Sequence, residues 1–277
     1  MILKNTVSEP LDIIILAGQS NMEGNGLGEC QHPWSLDSDI LMMQCDIATE
    51  VKKNEAGREF IFVTPSEEYF IEPAEERING DGLPCGILAL SFARLYKKNN
   101  LKNGRKLLLV QTAVGGTGFT GSHWGVEDIL YKRLFEMTDA ALAMNKENRV
   151  ASVLWHQGEH DAYENCGLGN EYIKDFYSKR LSLLVSGIRE KYGEKLPFIA
   201  AGFTHGWMDE YPTENKAVID ASVDTLAALG CASYITKTLD LASNEDAVGN
   251  GDTVHFSKDA LYTLGNRYYE EYVSLLK

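Results

Sequence analysis

Residues 13–22 read Ile13-Ile14-Ile15-Leu16-Ala17-Gly18-Gln19-Ser20-Asn21-Met22, an unbroken apolar run that stops abruptly at Gly-Gln-Ser. Three successive β-branched residues followed by Leu and Ala, with no polar alternation, describe a strand buried on both faces, the pattern of a parallel sheet covered by helices. The turn that follows presents Ser20. A hydroxyl at the carboxyl end of a parallel strand stands where open α/β sheets bind ligands, so Ser20 is a candidate nucleophile. Ser is also a favoured helix N-cap, and this stretch by itself supports capping of a helix near Asn21 as well as it supports catalysis.

The rest of the chain alternates apolar runs with helical patterns. Strands are expected at Asp12–Ala17, Ile40–Gln44, Lys106–Thr112, Val150–Trp155, Pro197–Phe203 and Ser233–Thr236, giving roughly five parallel strands joined by crossover helices. The helices fall at about 86–98, 128–145, 172–192, 213–229 and 258–276, where apolar residues such as Leu88, Phe92 and Leu95 recur at helical spacing. No repeat, linker or low-complexity tract divides residues 1–277, so one α/β domain is expected. A polar, acidic excursion at about 49–81 is long for a connection in a compact domain and is placed at the border of the active site or as decoration. Within it, Phe60-Ile61-Phe62-Val63 reads as a short outlying strand.

Composition narrows the function. The 277 residues are 44% hydrophobic and 24% charged, with a net charge of −14. Such an acidic balance argues against nucleic acid and anionic membranes as partners, since both call for a basic patch. Five scattered cysteines without a Cys-x-x-Cys pair suggest neither a disulfide framework nor a zinc ribbon. The first ten residues lack the basic and apolar regions of a signal peptide, so a cytoplasmic protein is expected.

Three further turns carry chemistry. Ala113-Val114-Gly115-Gly116-Thr117-Gly118 follows a strand and frees backbone N–H groups for an anion. Neither it nor Gly24-x-Gly26-x-Gly28 matches a nucleotide-binding glycine pattern, which leaves an oxyanion hole as its use. The next, Trp155-His156-Gln157-Gly158-Glu159-His160, contains the spacing of an inverted zinc-protease motif. That motif needs both imidazoles on one helix face, whereas these residues leave a strand through a glycine. Gln157 instead supplies a neutral amide donor suited to an oxyanion hole. Finally, Asp252-Thr253-Val254-His255 places an acid three residues before a histidine, able to hold the imidazole Nδ1–H and leave Nε2 free to take a proton.

Taken together, Gly18-Gln19-Ser20-Asn21-Met22, Gly115-Gly116-Thr117, Trp155-His156-Gln157-Gly158-Glu159 and Asp252-x-x-His255 resemble the four signature blocks of the SGNH (GDSL-like) hydrolases. Within them the chain resembles the carbohydrate-esterase branch of sialate O-acetylesterases and acetylxylan esterases. His160 stands where that branch often has Ser, and Gly118-Phe119 replaces the more usual Ser-Ile. The resemblance implies a three-layer α/β/α sandwich around a five-stranded parallel sheet. It implies Ser20 as nucleophile, His255 as base and Asp252 as its orienter, with Ser20, Gly116 and Gln157 forming the oxyanion hole. Gln19, Asn21, Gly115, Glu159 and Trp124 are further candidates for supporting the site or contacting substrate, and Trp34, Tyr69 and Trp207 for stacking on a sugar. No metal or organic cofactor is implied. The expected substrate is an acetylated sugar or oligosaccharide, with xylo-oligosaccharides favoured. A sialate O-acetylesterase or a lipid- or thioester-directed SGNH esterase is the alternative enzyme reading; a carbohydrate-binding protein on the same fold and a metallopeptidase are the competing classes.

Overall fold

The computed structural model describes residues 2–53 and 59–277. Its strands are β1 (Ile2–Lys4), β2 (Leu11–Gly18), β3 (Ile40–Gln44), β4 (Ile47–Lys53), β5 (Glu59–Pro65) and β6 (Glu68–Pro73). After them come β7 (Arg77–Ile78), β8 (Pro84–Cys85), β9 (Lys106–Gln111), β10 (Arg149–His156), β11 (Phe198–Ala201) and β12 (Ala232–Ile235). The helices are α1 (Ser20–Glu23), α2 (Leu88–Asn99), α3 (Ile129–Ala143), α4 (Glu159–Glu164) and α5 (Asn170–Tyr192). They continue as α6 (His205–Glu210), α7 (Pro212–Leu229), α8 (Asn244–Val248) and α9 (Lys258–Leu275).

Eight strands form one sheet in the order β1-β6-β3-β9-β2-β10-β11-β12. The six from β3 to β12 run parallel, one more than expected, and β6 extends their edge antiparallel to β3. β6 (Glu68–Pro73), an addition to those six, lies inside the acidic excursion, where Glu and Pro at its ends conceal it. β1 covers the outer side of β6 only along residues 68–70, so Pro73 stands beyond it, where that side of the strand is open and a missing N–H costs little. The other described parts of the excursion are the antiparallel hairpin β4–β5 and the start of the short ribbon β7–β8. The strand read at 60–63 belongs to β5, and residues 54–58 lie outside the described residues.

The apolar run of β2 is buried along its whole length, and its residues alternate between two cores. Ile13, Ile15 and Ala17 join Leu134, Tyr177, Leu184 and Val218 under α3, α5 and α7. Ile14 and Leu16 join Leu88, Phe92, Leu261 and Tyr268 under α2 and α9. This is the three-layer arrangement: two helical layers on one twisted sheet, each driven by removal of apolar area from water. Among the described residues no helix is long and apolar enough to cross a membrane.

One polar residue sits inside the run. The buried Asp12 accepts from Arg105 Nε (2.8 Å), Arg149 Nε (2.8 Å) and Tyr96 Oη (2.8 Å). Burial by itself would raise its carboxyl, but the bonds from Arg149, Tyr96 and Arg105 outweigh it and hold the group below the usual value. A group depressed in the folded state stabilises above its unfolded pKa and loses that contribution as pH falls through its folded one. Asp12→Ala is therefore expected to cost about 1–3 kcal/mol at neutral pH, because it removes the acceptor of buried Tyr96 and one bond from each guanidinium, while Arg105 keeps its carbonyl acceptors and Arg149 reaches solvent. Urea unfolding should show the gap between variant and parent shrinking below about pH 4; a gap independent of pH would contradict the ion-pair account.

Candidate active site

Parallel register places three turns side by side. Gly18 pairs with His156 across β2 and β10, and Leu16 pairs with Gln111 across β2 and β9. Gly18 has φ +130°, and a Cβ there would stand 2.1 Å from the His156 carbonyl oxygen, so only glycine lets these strand ends close up. The chain then enters α1 with Gln19 as the N-cap and Ser20 as the first helical residue. Ser20 does not cap the helix; its N–H is one of the unpaired donors at a helix start.

A cavity of about 560 Å³ opens over these turns, lined among others by Gln19, Ser20, Gly116, Glu159, Trp207 and His255. His255 Nδ1 lies 2.8 Å from Asp252 Oδ2, and the His255 N–H donates to Asp252 Oδ1 at 3.1 Å. Asn244 Nδ2 donates to the same carboxylate at 2.9 Å. Burial would raise the Asp252 pKa, yet these bonds, led by that to His255, lower it below the usual value. Asp252 thus stays ionised and fixes the Nδ1–H tautomer, turning Nε2 toward the cavity. Among the described residues the Ser20 hydroxyl makes no hydrogen bond, to His255 or otherwise; such contacts often tighten only when substrate arrives.

Asn21 fastens the loop of Asp252 and His255 to the Ser20 turn. Its Oδ1 accepts from Phe256 N (3.0 Å), while Nδ2 donates to the Val254 carbonyl (3.1 Å) and Glu159 Oε1 (2.8 Å). Glu159 is fully buried, and although burial raises its carboxyl, His156 and Asn21 more than offset this and keep it low. Both residues position the site from within, and Glu159 also reaches the cavity wall.

The oxyanion region departs from expectation at one residue. Gln157 is buried and does not line the cavity: its Nε2 donates to Asp161 Oδ2 (2.8 Å), Gln19 Oε1 (3.2 Å) and the Thr117 carbonyl (3.3 Å), while Tyr177 Oη donates to its Oε1 (3.0 Å). An amide with its protons so committed has none to offer an incoming oxyanion. The amide of Gln19, beside it, is held the other way round. Gln19 Oε1 accepts from the backbone N–H of His160 (3.2 Å) and Gly158 (3.4 Å) as well as from Gln157. Backbone N–H groups only donate, so the atom facing them is oxygen and the Gln19 NH₂ faces the other way. Among the described residues that NH₂, the Ser20 N–H and the Gly116 N–H have no partner, and all three residues line the cavity. Gly115 is excluded as a donor, because its N–H is held by Glu23 Oε2 at 2.9 Å.

Glu23 also lies 3.5 Å from Arg77. Burial raises its carboxyl, opposed by Arg77, the Gly115 N–H and His255. Its contact aims the glycine turn. Glu23→Ala is expected to lower kcat by up to about 10²-fold through a misplaced Gly116 N–H, with Glu23→Gln, which keeps an acceptor, restoring most of it. Steady-state kinetics on a small acetyl ester would show this, and equal losses in both variants would contradict it.

The aromatic candidates divide. Trp124 is fully buried and donates to Thr117 Oγ1 (3.0 Å), and Tyr69 is buried beside Arg133, so neither can meet a sugar. Trp34 packs in the α2/α9 core with its Nε1 on the Ala74 carbonyl (2.7 Å). Trp207 does line the cavity, as does Tyr163, which sequence reasoning missed. The two histidines of the zinc-like spacing separate: His156 ends β10 and its ring meets Phe256 and Tyr268 in the interior, while His160 sits on α4 at the cavity.

The model of one protein family, described as "Carbohydrate esterase, sialic acid-specific acetylesterase", matches residues 10–274. The chain belongs to this family of carbohydrate esterases. It is an ester hydrolase, as the four sequence blocks implied. A probable carbohydrate esterase of Arabidopsis thaliana is 26% identical over 205 residues, covering 71% of this chain and 70% of that protein. The crystal structure of the Arabidopsis protein superposes with a TM-score of 0.67 at 20% identity, covering 96% of this chain and 98% of that one. The crystal structure of NanS gives 0.68 at 17% identity, over 98% and 99% of the two chains. At these identities the superpositions establish a shared fold.

Proposed function

We propose that this carbohydrate esterase removes O-acetyl groups from acetylated sugars through an acetyl-Ser20 intermediate. The observation that carries the reading is the convergence of Ser20, the Asp252–His255 pair and three unpaired donors on one cavity. His255 Nε2 takes the Ser20 proton as the hydroxyl attacks the acetyl carbonyl. The Ser20 N–H, the Gly116 N–H and the Gln19 amide hold the oxyanion. The sugar alcohol leaves with the proton from His255, and water repeats the sequence on the acetyl-enzyme.

Trp207 and Tyr163 on the cavity wall suit the apolar face of a pyranose ring. Xylo-oligosaccharide-type substrates are the favoured class; O-acetyl sialic acid is the second reading, favoured by the description of the matched family. The expected result is that kcat/KM falls steeply from acetyl to butyryl to octanoyl esters and that acetate is released from acetylated xylo-oligosaccharides. Rising activity with acyl length and no acetate from any acetylated sugar would overturn the proposal; release from O-acetyl sialic acid alone would select the second reading.

A further inference from the structure

A second cavity, of about 800 Å³, adjoins the catalytic one and shares Glu23, Ile47 and Arg77 with it. Gln44 and Gln111, which end β3 and β9, line it, so it lies at the same carboxyl edge of the sheet as Ser20. This is the edge where open α/β sheets bind ligands, and the two cavities adjoin there at the three residues they share. Each is in the range of about 300–1,000 Å³ typical of ligand pockets, so together they have room for more than one sugar unit.

We infer that the second cavity is a subsite for the sugar units beyond the acetylated one, and that it is built for an uncharged glycan. The inference rests on the esterase reading. Its walls offer what sugar hydroxyls and ring faces need: the amides of Asn5 and Gln44, which have no side-chain partner among the described residues, beside apolar Met42, Ile71 and Ile87. Its charge decides the class of ligand. Asp46, Glu72 and Glu75 line it and have no cationic partner among the described residues. Glu76, by contrast, is matched by Lys258 at 2.9 Å. Among the described residues Arg77 is the one Lys or Arg lining either cavity, and it is engaged by Glu23 and by Asn25 Oδ1 at 2.7 Å. Carboxylates accept hydrogen bonds from neutral sugar hydroxyls but repel a sugar carboxylate, and they do so at the lip through which such a substrate would pass.

The test compares p-nitrophenyl acetate, an acetylated monosaccharide, an acetylated neutral tetrasaccharide and an acetylated oligosaccharide carrying uronic acids. On the intact chain, kcat/KM should rise at least about tenfold from the neutral monosaccharide to the tetrasaccharide, through KM, and fall by a similar factor for the anionic one. Gln44→Trp, which fills the subsite, should abolish the gain with length while p-nitrophenyl acetate turnover stays at the parent level. Glu72→Gln combined with Glu75→Gln should raise activity on the anionic oligosaccharide alone. Normal p-nitrophenyl acetate turnover with no dependence on chain length, or with equal use of neutral and anionic oligosaccharides, would overturn the subsite and leave the esterase reading standing. An intact chain inactive on every ester would instead overturn the reading beneath it.

Discussion

Ser20→Ala is expected to abolish acetyl-ester hydrolysis, lowering kcat by at least about 10⁴-fold while leaving the protein folded. The loss is large because, among the described residues, no other hydroxyl or thiol on the cavity wall stands beside both His255 and the unpaired donors at Gln19, Ser20 and Gly116. Residual rate would come from water activated by His255 over an intact hole. Stability should barely change, since the hydroxyl makes no hydrogen bond among the described residues and the cap position belongs to Gln19. An unchanged thermal midpoint with lost turnover, and no acetyl adduct by intact-protein mass spectrometry, would be the expected pair of results. A variant with near-normal kcat would remove Ser20 from the chemistry.

The second large effect separates two adjacent amides. Gln19→Ala should lower kcat by about 10²–10³ with little change in KM, because an oxyanion donor acts mainly in the transition state. Gln157→Ala acts differently. It removes one hydrogen bond from buried Asp161, which keeps the Phe119 and Thr120 N–H groups, and one from Tyr177, which keeps the carbonyl of residue 157, and it releases Gln19 Oε1, so a stability loss of about 1–3 kcal/mol accompanies whatever activity is lost. Measuring kcat and denaturant midpoints for both variants distinguishes donor from support. If Gln157→Ala lost kcat as steeply as Gln19→Ala at full stability, Gln157 would be the donor and the hydrogen-bond pattern would have been read the wrong way.

The fold was legible because the signals that determine it are local. A β-branched run ending in glycine, repeated between amphipathic helices, leaves a covered parallel sheet as its natural burial solution. The strands of the main sheet that were missed are β1 and β6. The three residues of β1 are too few to show a period, and β6 alternates in burial between charged and proline ends that read as loop. The Asp252–His255 pair could also be read directly, because both groups lie in one short turn where three residues of spacing suffice to join them.

Residue types alone placed Ser20, the glycine turn and an amide donor in one site, since each follows a strand of the same parallel sheet and parallel strands end on one edge. Which amide faces the cavity was decided only by the tertiary structure. Gln19 and Gln157 carry the same group at the ends of adjacent strands, and the backbone N–H groups of Gly158 and His160, with Asp161, orient one outward and bind the other inward. The fate of Trp124 and Tyr69 was settled the same way, by burial in a core assembled from segments far apart in the chain. Sequence order states which side chains exist and on which strand end they stand; the direction of a polar side chain is set by the competing donors and acceptors that folding brings around it.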